Sequence, residues 1–141
     1  METCRFEIKF TVPGAPIGKG RPRVTRCGTF TPKKTRDYEE KVRRCWQTQS
    51  GVSFPAGTPI LAKITAWFPI PKSTSKKRAA QMAGGYHIKR PDCDNIAKAI
   101  LDSLNGCAYP DDSAVQLRVE KRYTTAAPRV DVVLWEVQSN D

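Results

Sequence analysis

The chain has 141 residues, enough for one domain with a real core, and no apolar run long enough to cross a membrane. Its 24 Lys and Arg against 14 Asp and Glu leave a net charge of +10, which favours a polyanionic partner. One histidine and five cysteines with no C-x-x-C pair argue against a His-based zinc centre, a zinc ribbon or a redox dithiol. The thiols read as reduced, and without an export signal the expected location is the cytoplasm.

Phe6, Ile8, Phe10 and Val12 alternate with polar residues and predict a half-buried strand. Three Gly and three Pro between Pro13 and Pro22 then break regular structure. The stretch 24–31, with Cys27-Gly28 at its middle, suits a short hairpin. Thr31-Pro32 supplies the start of a helix that Tyr38, Val42, Cys45 and Trp46 carry at helical spacing to about Gln49. Ile60, Ala62, Ile64, Ala66 and Phe68 alternate strictly as a second strand, which Pro69 and Pro71 end. Residues 72–90 are basic and aperiodic; a mobile loop is expected, with a helical turn or two around 75–82. Ile96, Ile100 and Leu104 form the buried stripe of a helix over 94–105, closed by Asn105-Gly106. Val115, Leu117 and Val119 mark a third strand. A turn at 124–128 returns a fourth over 130–137, so a C-terminal hairpin is expected. Trp46, Trp67 and Trp135 lie in periodic apolar stretches and are expected in the core or at a subunit interface. The fold predicted is one α+β (mixed α/β) domain over 1–141, with a mixed sheet of about four to five strands and two main helices.

Asp92 and Asp94 open the 94–105 helix, and Asp111-Asp112 follow it. The neighbourhood is otherwise basic: between Pro71 and Arg90 there are six Lys or Arg and no acid. A knot of carboxylates in a cationic chain is costly unless a cation sits among them, because like charges repel. Magnesium takes oxygen ligands and keeps several waters, so two or three carboxylates with phosphate oxygens suffice. A phosphodiester backbone is the simplest partner that wants both a metal and a basic surface. The residues therefore predict a metal-dependent nuclease, in which the ion activates water and neutralises charge on the phosphate. Asp92, Asp94 and Asp112 are the candidate ligands and catalytic carboxylates, and Asp111 is a further candidate ligand. For Asp112 to meet Asp92, either the segment with Gly106 and Pro110 folds back along the helix or a second subunit supplies it. Lys98, one turn after Asp94, is the candidate to stabilise the scissile phosphate. The bland readings are a helix cap, a surface row Asp94–Lys98–Asp102 and a plain turn. Their coincidence within 21 residues of a cationic chain weighs against them.

Lys19, Arg21 and Arg23 in the Gly-rich stretch are candidate DNA contacts, as are Lys33, Lys34, Lys72, Lys76, Lys77 and Arg78. The Gly-rich stretch lacks Walker A spacing, so nucleotide hydrolysis is not indicated. His87 reads as structural rather than catalytic.

The run Lys89-Arg90-Pro91-Asp92-Cys93-Asp94-Asn95-Ile96-Ala97-Lys98-Ala99-Ile100-Leu101-Asp102-Ser103-Leu104-Asn105-Gly106 resembles the RusA family of Holliday-junction resolvases. Tyr109-Pro110-Asp111-Asp112-Ser113-Ala114-Val115 is similar to that family's D-D-x-x-V stretch. Segments 16–23 and 31–35 also look like its phage and prophage members, and the likeness covers about 6–137. The resemblance implies a small homodimeric, magnesium-dependent endonuclease, with manganese able to substitute. It implies a crossover-junction endodeoxyribonuclease of DNA recombination and repair that resolves four-way junctions by paired incisions. It makes Asp92, Asp94 and Asp112 the catalytic carboxylates and Lys98 the functional lysine. A four-way junction is two-fold symmetric, so a C2 dimer presents two equivalent sites to it. The apolar faces near the carboxylate helix and the C-terminal hairpin are the expected dimer surface. The competing readings are a less selective nuclease of flaps and branched DNA, and a basic DNA-binding protein without catalysis.

Overall fold

The structure is a computed structural model that describes residues 7–21 and 23–137, with only the backbone of Arg23. Phe6, the expected start of the first strand, lies outside the described residues. Strand β1 (Glu7–Pro13) buries Ile8, Phe10 and Val12 and exposes Glu7, Lys9 and Pro13. A ribbon of β2 (Arg23–Thr25) and β3 (Gly28–Phe30) turns at Cys27-Gly28, where Gly28 has a φ of +119° that disfavours any residue with a Cβ. Helix α1 (Lys33–Gln49) buries Thr35, Tyr38 and Val42. Strand β4 (Ile60–Pro69) buries every second residue from Ile60 to Phe68. Short helix α2 (Lys76–Met82) starts at Ser75, whose hydroxyl accepts from the Arg78 N–H at 3.2 Å. Helix α3 (Cys93–Leu104), a 3-10 turn (Asp112–Ala114), β5 (Val115–Thr124) and β6 (Arg129–Glu136) complete the chain.

The main sheet has the order β1-β6-β4-β5. β6 runs antiparallel to both β1 and β4, and β5 runs parallel to β4. Helices α1 and α3 cover one face and share a core with Ile8, Phe10, Ile64, Val132 and Leu134. Each fully buried Ile or Leu there contributes about 1.5–3 kcal/mol. The mixed α+β architecture with two main helices is as the patterning predicts.

Two expectations change. β5 and β6 are not a hairpin, because β4 lies between them. The four residues 125–128 carry the chain across the end of β4. That gap of two strand spacings, about 9.5 Å, is within reach of so short a segment. Alternation fixes which face of a strand is buried but not which neighbour it pairs with. Residues 72–90 are not a free loop. After α2 the chain lies along the outer edge of β5. The Gly84 N–H donates to the Tyr123 carbonyl, the Tyr123 N–H to Gly85 and the His87 N–H to Lys121, each at 2.9 Å. This segment covers an edge whose backbone groups would otherwise be unpaired. It fixes His87 inward, with its ring stacked on Phe68 at 3.8 Å and edge-on to Tyr123 at 5.1 Å. The three tryptophans are only partly buried, and Trp67 and Trp135 stand on the sheet face that no helix covers. Among the described residues Cys27, Cys45, Cys93 and Cys107 are free thiols, and no helix is long and apolar enough to cross a membrane.

Candidate active site and nucleic-acid interface

Asp92 is the residue before α3, with extended backbone (φ −72°, ψ 154°), and its side chain accepts no capping hydrogen bond. Asp94 sits in the first turn, and both carboxylates are exposed. The helix dipole favours negative charge at this end by about 0.3–1 kcal/mol per group. Lys98 is exposed one turn further on, off the stripe of Ile96, Ala97, Ala99, Ile100, Ser103 and Leu104 that α3 buries. Among the described residues neither Asp94 nor Lys98 makes an ion pair, so the surface row Asp94–Lys98–Asp102 does not form. Both groups remain uncommitted.

Two contacts that patterning does not reveal hold the approach to Asp92. The ammonium of Lys121 on β5 donates to the carbonyls of Lys89 at 2.6 Å and Pro91 at 2.9 Å. The sequence carries one clue: Lys121 falls on the core-facing register of β5, where Val115, Leu117 and Val119 precede it. On the other side, a Cβ at Gly18 would lie 2.8 Å from the Pro91 Cβ and 3.2 Å from the Asn95 Cβ. One at Gly20 would lie 2.5 Å from the Thr35 hydroxyl oxygen, which already accepts the Gly20 N–H at 3.1 Å. The Lys19 N–H donates to the Asn95 carbonyl at 2.9 Å. The glycines of this loop thus let it pass close to α3 and α1, a use that composition alone does not distinguish from phosphate approach.

Lys19, expected at the DNA surface, turns inward instead. Its ammonium bridges Glu39 of α1 at 3.0 Å and Asp102 of α3 at 3.1 Å, with 18% of the side chain exposed. Burial opposes its charge, but the two carboxylates outweigh that and raise its pKa. Arg21 and Lys34 keep the expected outward position. With Arg90 and Asp92 they line a groove of about 930 Å³ between the Gly-rich loop, α1 and the start of α3. Lys33 and Lys34 occupy the first turn of α1 with no acid there, and Lys76, Lys77 and Arg78 do the same in α2. Cations at helix N-termini oppose the dipole, so helix formation does not account for them. Those five side chains and Lys72 are exposed. The side chain of Arg23 lies outside the described residues.

Asp111 and Asp112 lie beside the other end of α3. Asp111 accepts from the Ser113 hydroxyl at 2.6 Å. The buried Tyr109 hydroxyl donates to the Leu101 carbonyl at 2.7 Å. Burial raises the pKa of that hydroxyl, and the charges of Asp112, Asp102 and Asp111 raise it further. Leu101 is nine residues after Asp92, about 13 Å along the helix axis at 1.5 Å per residue. Among the described residues of one chain, no group of three or more His, Cys, Asp or Glu side chains could hold a metal ion. The donor set still suits a hard cation: Asp92 and Asp94 offer exposed carboxylates that make no ion pair among the described residues.

A sequence profile of the family described as Endodeoxyribonuclease RusA matches residues 13–134. The chain is also 35% identical to the uncharacterized protein YqaN of Bacillus subtilis (strain 168), over 94% of this chain and 98% of that one. The matched segment takes in the Gly-rich loop, both main helices, the carboxylates, β4, β5 and most of β6. The chain therefore belongs to the RusA endodeoxyribonuclease family.

Proposed function

We propose that this endodeoxyribonuclease is a magnesium-dependent resolvase of four-way DNA junctions that acts as a homodimer in the cytoplasm. One observation carries the reading. The uncommitted carboxylate of Asp92 stands at the wall of a groove shared with Arg21, Lys34 and Arg90, and Asp94 and Lys98 follow it on α3. The cations attract a phosphodiester backbone, and the acids would repel it without a bound cation between them.

Asp92, Asp94 and Asp112 would hold the ion, with Asp111 beside them. When bound, magnesium supplies a Lewis acid for the phosphate and an acidified water. The protein's own part is to bind and orient. Arg21, Lys33, Lys34 and the α2 cations hold the backbone, and Lys98 stabilises negative charge at the scissile phosphate. Lys121 and Gly18 fix the peptide leading into Asp92. Because Asp112 lies toward the far end of α3 from Asp92, the partner subunit's Asp112 is the better candidate to complete each site.

The test is cleavage of a synthetic four-way junction beside a linear duplex of the same sequence, with and without magnesium. Paired, magnesium-dependent incisions in the junction alone are expected. Asp92→Asn and Asp94→Asn should abolish cleavage while junction binding is unchanged or tighter, since less negative charge faces the DNA. Equal cutting of both substrates would make the protein a less selective nuclease. Undiminished cleavage by either variant would remove that residue from the mechanism.

A further inference from the structure

The segment along the edge of β5 carries two large apolar side chains that the molecule does not cover: Tyr86 is 65% exposed and Ile88 88% exposed. Neither belongs to a loose loop. The backbone on both sides of Tyr86 is bonded to β5, and His87 between them is plugged inward against Phe68. Tyr86 is itself clamped. The Arg122 guanidinium lies 4.4 Å over its ring, donates to its hydroxyl at 3.1 Å, and is held in turn by Glu120 at 2.9 Å and the Gly84 carbonyl at 2.6 Å. One ring face is thus backed by a fixed cation, while the residue as a whole stays largely exposed. A hollow of about 370 Å³ adjoins the ring, bordered by Arg78, Met82, Ile88 and Lys89.

We infer that Tyr86 is a preformed stacking platform for an unpaired or unstacked nucleobase of the bound DNA. The inference rests on the DNA-junction reading and assigns one subsite to it. Charge selects the occupant. Arg78 and Lys89 border the hollow and no acid lines it, so the site favours a flat apolar ligand that also carries negative charge. A nucleotide supplies both, because every base offers a π-face and its phosphate meets the cations. Because Arg122 has already immobilised the ring, stacking on it costs little further ordering. Six residues separate Tyr86 from Asp92, a span of at most about 20 Å, or about six nucleotide steps of a strand. Bases at a branch point are the cheapest to take out of a stack, so the platform favours branched over linear DNA.

The test compares affinities for a four-way junction and a matched linear duplex in metal-free buffer, for the wild type and Tyr86→Phe, Trp, Leu and Ala. One stacked base corresponds to a loss on the order of tenfold or more when the aromatic is removed. The junction-to-duplex affinity ratio should therefore fall about tenfold in the Leu and Ala variants. It should stay near the wild-type value in the Phe and Trp variants, which keep a flat ring. Thermal unfolding of each variant separates this from loss of fold. A Leu variant that binds like the wild type would show a merely apolar contact and overturn the inference. A ratio unchanged in the Ala variant would do the same and leave the junction reading standing. An Ala variant that instead loses self-association in sedimentation would show that the patch joins two copies of the chain. If the wild type binds neither DNA, the junction reading and the platform fall together.

Discussion

At Gly18, one added methyl group is enough to separate the two halves of the candidate site. The nearest atoms it would meet belong to Pro91, just before α3, and Asn95 in its first turn, and both are Cβ atoms fixed by the backbone with little room to yield. Gly18→Ala should destabilise the fold by about 1–3 kcal/mol, the usual range for overpacking, as read in denaturant unfolding. Lys121→Met keeps the aliphatic stem but leaves the carbonyls of Lys89 and Pro91 without their donor. Its expected signature is weakened hydrogen-exchange protection confined to the segment around residues 89–94. Unchanged protection there would mean that Lys121 does not hold the approach to Asp92. Lys98→Ala should lower the single-turnover cleavage rate by about 10²-fold or more, with far less effect on junction affinity, if the ammonium acts on developing charge. Equal losses in both would make it a positioning contact. The carboxylates were legible in the sequence because like charges crowded into a cationic chain need an external reason. For Lys121 the pattern shows only a cation on the core-facing register of β5; its partners are backbone carbonyls about 30 residues away, which no side-chain pattern records.

Among the elements, those with strong periodicity were legible and those that depend on pairing partners were not. α1, β4 and α3 carry long apolar repeats and form where those repeats place them. The placement of β4 between β5 and β6, and of 84–87 on the β5 edge, depends on long-range hydrogen bonds that local patterning does not encode. The edge segment has a pH consequence. Burial lowers the pKa of His87 below its ordinary 6.5, and the nearby Lys121 and Lys89 lower it further. Its Nδ1 is buried with no hydrogen-bond partner among the described residues. Below about pH 6.5 the unfolded chain therefore takes up a proton that the folded chain resists, and stability falls as pH drops through that window. His87→Phe keeps the stack on Phe68 without the titration, so its Tm should fall less than that of the wild type between pH 7.5 and 5.5. Parallel losses would place the acid sensitivity elsewhere. The basic face of α2 is tested by salt. If Lys72, Lys76, Lys77 and Arg78 contact phosphates, replacing all four with Ala should flatten the log–log salt dependence of junction binding by about 0.9 per lost contact. An unchanged slope would show that α2 stands clear of the DNA.

For the whole molecule, the governing fact is the length of α3. Asp92 and Asp94 stand at one end, while Tyr109 and the acids acting on it lie toward the other, and among the described residues of one chain no three acids gather around a metal position. A two-fold dimer removes the difficulty and matches the symmetry of its proposed substrate. Mixing two inactive variants tests this directly. Asp92→Asn and Asp112→Asn chains are unfolded together, refolded and assayed on a four-way junction with magnesium. If each site takes Asp92 and Asp94 from one chain and Asp112 from its partner, every mixed dimer regains one intact site. Random pairing then restores about a quarter of wild-type sites, seen as nicking of single strands where either variant alone is silent. A mixture as inactive as its components would contradict the shared site and confine the carboxylates to a single chain.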